Sequence, residues 1–253
     1  MALALEIFDN YGLNFLARWA HVLAGITWIG LLYYFNFVQV PAFAELDAGA
    51  RNQAIDKLAS RALWWFRWAA AATFLFGLLI GFIPIASEGD GIFLTSGFFK
   101  SAEGVAISTG MLLGITMFLN VWGVIWRNQK VVIANARNVL AGGEADPAAA
   151  AAGRKAALAS RQNTIFSFAM LFFMVGAVHF LASGGFSLAE SSDRVVYWII
   201  TAVLWLALEL NCLGVIGGTG QNLTNWIYED HKRAIGVGLV LVVVWYALWE
   251  IIF

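Results

Sequence analysis

Long apolar runs separated by short polar stretches dominate the chain. A helix crosses the hydrocarbon core of a bilayer with about 20 apolar residues, at about 1.5 Å of rise per residue. Runs of this length predict an all-α protein, a polytopic membrane bundle of about six transmembrane helices that forms one transmembrane domain over residues 1–253. The predicted helices lie near Phe15–Val40, Ala62–Ile85, Val105–Trp126, Thr164–Ala182, Val195–Ile216 and Ala234–Ile252.

Local signals mark helix ends and helix contacts. Pro41 predicts the end of the first helix, because proline has no N–H to continue it. Ile92–Phe99 is apolar but too short to span, and we expect an interfacial or re-entrant segment there. Glycines spaced four residues apart let helix backbones approach closely, although in a chain with 25 glycines the signal is weak. These pairs are Gly77/Gly81, Gly110/Gly114 and Gly214/Gly218.

Composition excludes several classes of protein. Hydrophobic residues make up 61% of the chain and charged residues 12%, whereas soluble domains carry about 25% charged residues. A membrane β-barrel would show alternating strands of roughly ten residues instead of long unbroken runs. The net charge of −1 leaves no basic surface for nucleic acid. The single cysteine, Cys212, excludes an internal disulfide, a CxxC zinc site and the CxxCH attachment of c-type haem.

The distribution of lysine and arginine predicts the orientation in the lipid bilayer. Basic residues concentrate in the loops after the first, third and fifth helices, and such loops face the cytoplasm. We therefore expect a cytoplasmic loop around residues 128–162, both termini in the periplasm, and a place in a bacterial inner membrane. The opposite side has one basic residue per segment: Arg18, Lys100 and Arg194.

Two histidines lie inside apolar helices, where ionisable residues suggest function. His21 lies about 9 Å and His179 about 6 Å from the predicted periplasmic ends of their helices. Two neutral imidazoles at one depth are typical ligands of a six-coordinate b-type haem. Gly25 and Gly176 share the helix faces of these histidines and would leave room for the ring, and Arg18 could pair with a propionate. Alternatively, each histidine only hydrogen-bonds to a neighbouring helix. A site for a bare copper or zinc ion is disfavoured, because the sequence offers no third ligand at that depth.

A second polar layer lies in the cytoplasmic halves of the helices. Its sharpest member is Glu209, because a carboxylate in a bilayer must be protonated, paired or facing water. Arg127 or Arg161 is the expected partner. The layer predicts a pocket for a polar planar molecule or a quinone head group, with Glu209 handling a proton. The alternative is that these amides only connect helices. The other members are Asn36, Gln39, Asn120, Gln162, Asn163, Asn211, Gln221 and Asn222.

Four segments together carry a family pattern. They are HVLAGITWIGLLYYFNFVQVP at His21–Pro41, NVWGVIWRNQK at Asn120–Lys130, SRQNT at Ser160–Thr164 and GGTGQN at Gly217–Asn222. In these four segments the chain resembles the membrane-bound urate oxidase N-terminal domain family, which is the transmembrane part of bacterial urate hydroxylases. The segments are spread over most of the chain, and the first is the most distinctive.

The resemblance implies oxidation of urate to 5-hydroxyisourate in purine catabolism, with electrons passed to cytochrome c. Family members often carry a C-terminal cytochrome c domain, whereas this sequence has no CxxCH motif after its sixth helix. A separate periplasmic cytochrome c could replace that domain. Urate would then be oriented in the polar layer by Asn120, Asn163 and Gln39 and would lose a proton to Glu209. Its electrons would reach the haem.

Two other functions stay open at the level of sequence. The chain could be a non-catalytic accessory subunit of a respiratory or photosynthetic complex, and pack through its glycine-rich faces. It could also transport a polar metabolite. We see no clear inverted repeat between residues 1–127 and 128–253, a symmetry that many transporters show.

Overall fold

Six long helices form the architecture of the protein. The computed structural model describes residues 6–84, 91–95, 97–181 and 189–253, and no strand forms within them. Each of the six is long and apolar enough to cross a membrane, which confirms the predicted all-α bundle of a multi-pass membrane protein. The helices are α1 (Asn10–Glu45), α2 (Ala48–Phe82), α3 (Ala102–Leu140), α4 (Ala148–His179), α5 (Ser191–Cys212) and α6 (His231–Ile252).

The helices begin earlier than hydropathy predicts, and in four of the six a capping side chain sets the first residue. Asp9 accepts a hydrogen bond from the Gly12 amide at 2.8 Å and opens α1. Asp47, Ser101 and Asp230 do the same for α2, α3 and α6. The prediction for the end of α5 was wrong, since this helix ends at Cys212 and not at Ile216. The predicted ends at Ile85 and Ala182 lie outside the described residues.

Pro41 does not end the first helix, contrary to the prediction. The chain passes through a π-helical stretch, Tyr34–Gln39, and continues as an α-helix to Glu45. In this stretch the Val40 amide donates to the Phe35 carbonyl, five residues back. The wider turn shifts the register so that the helix tolerates a residue without an N–H.

The predicted cytoplasmic loop around residues 128–162 is mostly helical. α3 runs for 39 residues, which is about 58 Å and well beyond the thickness of the hydrocarbon core. It reverses through a short turn, in which Gly142 has a φ of 84°, into α4. Arg137 near the end of α3 pairs with Asp56 of α2 at 2.5 Å. α3 and α4 thus form a helical hairpin that projects past the predicted membrane edge.

This hairpin also forms the centre of the bundle. More than half of the spanning part of α3 (56%) and α4 (61%) is buried by other helices, against 22–28% for the remaining four. Gly110 of α3 allows the close approach, because a Cβ there would lie 3.2 Å from the Met174 backbone nitrogen. Tyr33 of α1 bonds to Ser167 of α4, and Trp205 of α5 donates to Thr116 of α3 at 2.9 Å.

The two ends of the bundle differ in what they contain. At the first, called the terminal end, Asn14 of α1 donates to the Ile83 carbonyl at 2.7 Å, and Trp249 of α6 donates to the Ala102 carbonyl at 3.1 Å. The opposite end, called the hairpin end, contains the α3–α4 turn and the α5–α6 loop. The predicted interfacial segment lies at the terminal end. There the ring of Phe93 fills the space that a side chain on Gly81 would need.

Candidate functional site

Three of the four residues predicted to bind substrate meet in one hydrogen-bonded cluster near the hairpin end. The Asn120 amide of α3 lies 3.2 Å from Glu209 Oε2 of α5 and 3.1 Å from Asn163 Oδ1 of α4. Asn163 in turn donates to the Met117 carbonyl at 2.9 Å. All three side chains are buried, with Glu209 the most accessible at 9%. These three residues, called the Glu209 cluster, therefore join α3, α4 and α5 around one carboxyl group.

No positive charge compensates the Glu209 carboxyl. Within the described residues no lysine, arginine or histidine nitrogen lies within 4.0 Å of it, so the predicted partnership with Arg127 or Arg161 is wrong. Arg127 is exposed on the outside of the bundle. A carboxyl group held by neutral amides can bind or release a proton without breaking an ion pair. This is the property that acid–base chemistry requires.

A tyrosine from the α5–α6 loop extends the cluster. The Tyr228 hydroxyl donates to Gln162 Oε1 at 2.7 Å and contacts the Leu208 carbonyl at 3.1 Å. Burial raises the pKa of Tyr228, with smaller contributions from Cys212 and Glu209 close by, so the hydroxyl stays protonated. Two neighbouring atoms, Gln162 Nε2 and Asn211 Oδ1, are buried and have no hydrogen-bond partner among the described residues. A ligand or a water molecule could satisfy these two atoms.

A break in helical geometry lies directly beside the cluster. The five residues after Asn120, Val121–Ile125, form a π-helical stretch of α3. Single π-helical turns are rare and occur frequently at functional sites. The wider turn rotates the part of α3 that follows Asn120 relative to the part before it. This supports a functional interpretation of the cluster.

Gln39, the fourth predicted substrate residue, lies apart from this cluster. Its Oε1 atom is buried without a partner in the described structure, where no hydrogen bond connects it to Glu209, Asn120 or Asn163. It ends the π-helical stretch of α1. The predicted four-residue constellation is therefore a three-residue cluster with one separate amide.

Arg161 stabilises the same stretch of α1. The carbonyl of Asn36 has lost its helical donors, because Val40 donates to Phe35 and Pro41 has no N–H. Arg161, 7% exposed, donates to that carbonyl at 3.3 Å. The hydrogen bond from the Lys232 amide is the main reason that the pKa of Asp230 is below its usual range, and the positive charge of Arg161 adds a smaller contribution. Arg161 thus has a structural role between α1, α4 and the start of α6.

The loop that carries Tyr228 is rigidly built. Gly214, Gly217 and Gly218 have φ angles of 74–78°, a backbone conformation that favours glycine. Buried Asn225 donates to the carbonyls of Gly218 and Gly220, at 3.0 and 2.7 Å. The pair Gly214/Gly218 therefore shapes a loop and not a helix contact, which corrects that prediction.

Arg154 ties this loop to α4. Its guanidinium donates to the Thr219 carbonyl at 2.8 Å and forms a two-pronged ion pair with Glu229, at 2.5 and 3.1 Å. We expect Arg154→Gln to raise hydrogen–deuterium exchange in residues 214–222 by about tenfold, because that charge-assisted anchor is lost. Lys155→Gln, on the next residue, should leave exchange unchanged. Equal protection in both variants would show that the loop is held without Arg154.

His21 lies between α1 and α2. Its Nδ1 donates to the Thr73 carbonyl at 2.8 Å, and the ring fills the space left by Gly77, where a Cβ would be 3.1 Å away. This bond fixes the tautomer and leaves Nε2 as the atom able to bind a metal. Arg18 donates to Asn14 at 2.7 Å.

The structure does not direct the two histidines toward one another. α1 and α4 meet through Tyr33 and Ser167. Each histidine lies twelve residues from that contact on its own helix, so its side chain is rotated by about 120° about the helix axis, away from the contact. His179 is exposed on the outside of the bundle. A Cβ on Gly25 would lie 3.8 Å from the side chain of Thr73, and one on Gly176 would lie 3.5 Å from the side chain of Leu181. Protein thus occupies the expected cradle, and these residues do not fit one haem between both imidazoles.

Sequence reasoning missed three contributors to the site. Tyr228, Asn225 and Arg154 lie in loops or on a helical extension that hydropathy assigns to the cytoplasm. The only signal was the density of asparagine and glycine in residues 214–225, which predicts an ordered turn.

Comparison with known proteins adds no relative: no protein-family model, no curated protein and no solved structure matches this chain.

Proposed function

We propose that the chain is a membrane oxidoreductase subunit that binds a polar, planar substrate at the Glu209 cluster and takes a proton from it there. The observation that carries the proposal is the Glu209 carboxyl, held at 3.2 Å by Asn120, with no cation beside it in the part of the chain that the structure describes. A purely structural glutamate at this depth would be expected to have an arginine or lysine partner.

The unpaired polar atoms nearby indicate the chemistry of the ligand. Among residues 6–84, 91–95, 97–181 and 189–253, Gln162 Nε2 is a donor without an acceptor, and Asn211 Oδ1 is an acceptor without a donor. Tyr228 lies against both amides, so the two atoms belong to one neighbourhood. A ring that presents alternating N–H and C=O groups, a cyclic ureide, would satisfy both of these atoms and offer an N–H to Glu209.

Urate is the cyclic ureide that the sequence resemblance selects. Its oxidation consumes water and releases two protons and two electrons as 5-hydroxyisourate forms. Glu209 would accept one of the protons. The second proton would pass to water. The two electrons would leave one at a time to two molecules of an external one-electron carrier, for which we propose a periplasmic cytochrome c beside a bacterial inner membrane.

Binding of urate to the purified protein in nanodiscs, measured by equilibrium dialysis, tests this proposal. We expect saturable binding of urate, weaker binding of xanthine, and much weaker binding of hypoxanthine, which has fewer C=O groups. The same preparation should reduce added cytochrome c only when urate is present. Absence of saturable binding of both urate and xanthine would overturn the proposal.

Haem content is a separate measurement on the same preparation. A dithionite-reduced minus oxidised spectrum detects a b-type haem. If a haem is present, His21→Ala should remove it, because the Nε2 atom of His21 is available for ligation. The Glu209 proposal holds with or without this signal, since the binding assay does not depend on a haem.

A further inference from the structure

A shallow open groove lies at the terminal end of α5, away from the Glu209 cluster. Its volume is about 400 Å³, and one face of α5 lines it together with Phe99. The lining residues of α5 are Ser191, Arg194, Val195, Trp198, Ile199 and Ala202. They recur every three or four residues, so they form a continuous stripe along the helix.

The stripe changes from polar to apolar along its length. Ser191 and Arg194 lie in the first turn of α5, at the predicted membrane interface. The following residues, Val195 to Ala202, are apolar where they line the groove. From Ser191 to Ala202 the groove runs about 16 Å, which is about half the thickness of the hydrocarbon core. These dimensions match one lipid with its head group at the interface.

Arg194 lacks a partner within the described part of the chain. Its Nε–H group is buried and donates to no polar atom of the described residues, and no carboxylate among them lies within 4.0 Å of its guanidinium. The nearest acidic residues along α5, Glu190 and Asp193, make no ion pair with it. Lys100, next to Phe99 in sequence, adds a second exposed positive charge near the groove. A charge pattern of this kind is complementary to a phosphate group.

We propose that this groove binds one anionic phospholipid, with its phosphate on Arg194 and one acyl chain along Val195, Trp198, Ile199 and Ala202. The lipid would supply the acceptor that the arginine lacks. It would also cover the apolar stripe. A zwitterionic lipid would fit less well, since its choline or ethanolamine group would meet the positive charges of Arg194 and Lys100.

Native mass spectrometry of the intact protein, released from nanodiscs of equal phosphatidylglycerol and phosphatidylcholine, tests the proposal. We expect one retained phosphatidylglycerol per chain. Arg194→Gln should reduce its retention about tenfold relative to phosphatidylcholine. Arg233→Gln, at the hairpin end and stacked on Trp226, is the matched control and should leave retention unchanged.

Two further arms distinguish the source of the phosphate and the role of the groove. Millimolar inorganic phosphate should not displace the lipid, because the acyl chain contributes to binding. Ala202→Trp fills the apolar half of the groove and should lower retention while Arg194 is still present. Equal retention of both lipids by the wild type, or full retention in Arg194→Gln, would overturn the proposal.

Discussion

Glu209→Gln should lower urate turnover by about 100-fold or more while the protein stays folded. Glutamine keeps the shape of the side chain and can still accept the hydrogen bond from Asn120. In the wild type this bond measures 3.2 Å to a carboxylate oxygen of Glu209. It cannot accept a proton, and loss of a positioned general base costs about 10²–10⁴ in rate. The measurement is the rate of cytochrome c reduction with urate in nanodiscs. KM should change by less than about threefold, because the amide preserves substrate contacts.

Glu250→Gln is the matched control for this variant. Glu250 is exposed on α6 at the terminal end, far along the helix from the Glu209 cluster, and the substitution makes the same change in charge. We expect its turnover to equal that of the wild type. A Glu209→Gln protein that turns over urate at the wild-type rate would exclude Glu209 as the proton acceptor. The neutral amide cluster would then be a structural contact between α3, α4 and α5.

Gly238→Leu should destabilise the bundle more than any other single change to a glycine of α6. A Cβ at this position would lie 2.5 Å from the Phe168 ring and 3.0 Å from the Ile165 carbonyl of α4. Since the carbonyl belongs to a helix backbone at the centre of the bundle, it cannot move aside without displacing α4. Overpacking of this kind costs about 3 kcal/mol. For a protein of this size the corresponding loss in Tm is about 6–12 °C.

Cys212 provides the measurement and Gly236 the control. Cys212 is the single cysteine of the chain and is 2% exposed, so a thiol-reactive fluorescent dye reports unfolding on heating. Gly236 lies on the same helix, and a Cβ there would meet no atom of another described helix within 4 Å. Gly236→Leu should therefore keep the wild-type Tm or raise it slightly, because leucine forms helices better than glycine. Equal Tm values for both leucine variants would show that α6 does not depend on the close approach at Gly238.

Hydropathy by itself determined the class of the protein and the number of spans. Apolar runs must leave water, and in a bilayer only helices satisfy their own backbone groups, so six runs gave six helices. The pattern also placed Glu209, Asn120 and Asn163 in one polar layer, in the cytoplasmic halves of their helices. Depth follows from counting residues along a helix at a fixed rise. It was enough to predict that these three side chains could meet.

Only the tertiary structure decided which residues of a layer face one another. Gln39 belongs to the same predicted layer as the cluster, but in the described part of the chain no hydrogen bond joins it to Glu209, Asn120 or Asn163. His21 bonds to Thr73 between α1 and α2, whereas His179 is exposed on the outside of the bundle. The rotation of each helix depends on side-chain packing, such as the ring of His21 against Gly77, and no periodicity in the sequence records it. The helix ends were likewise set by caps and by the π-helical turn before Pro41, which act through a few local hydrogen bonds. Tyr228 joined the site because its loop folds back onto α4, a contact between residues 66 positions apart in the chain.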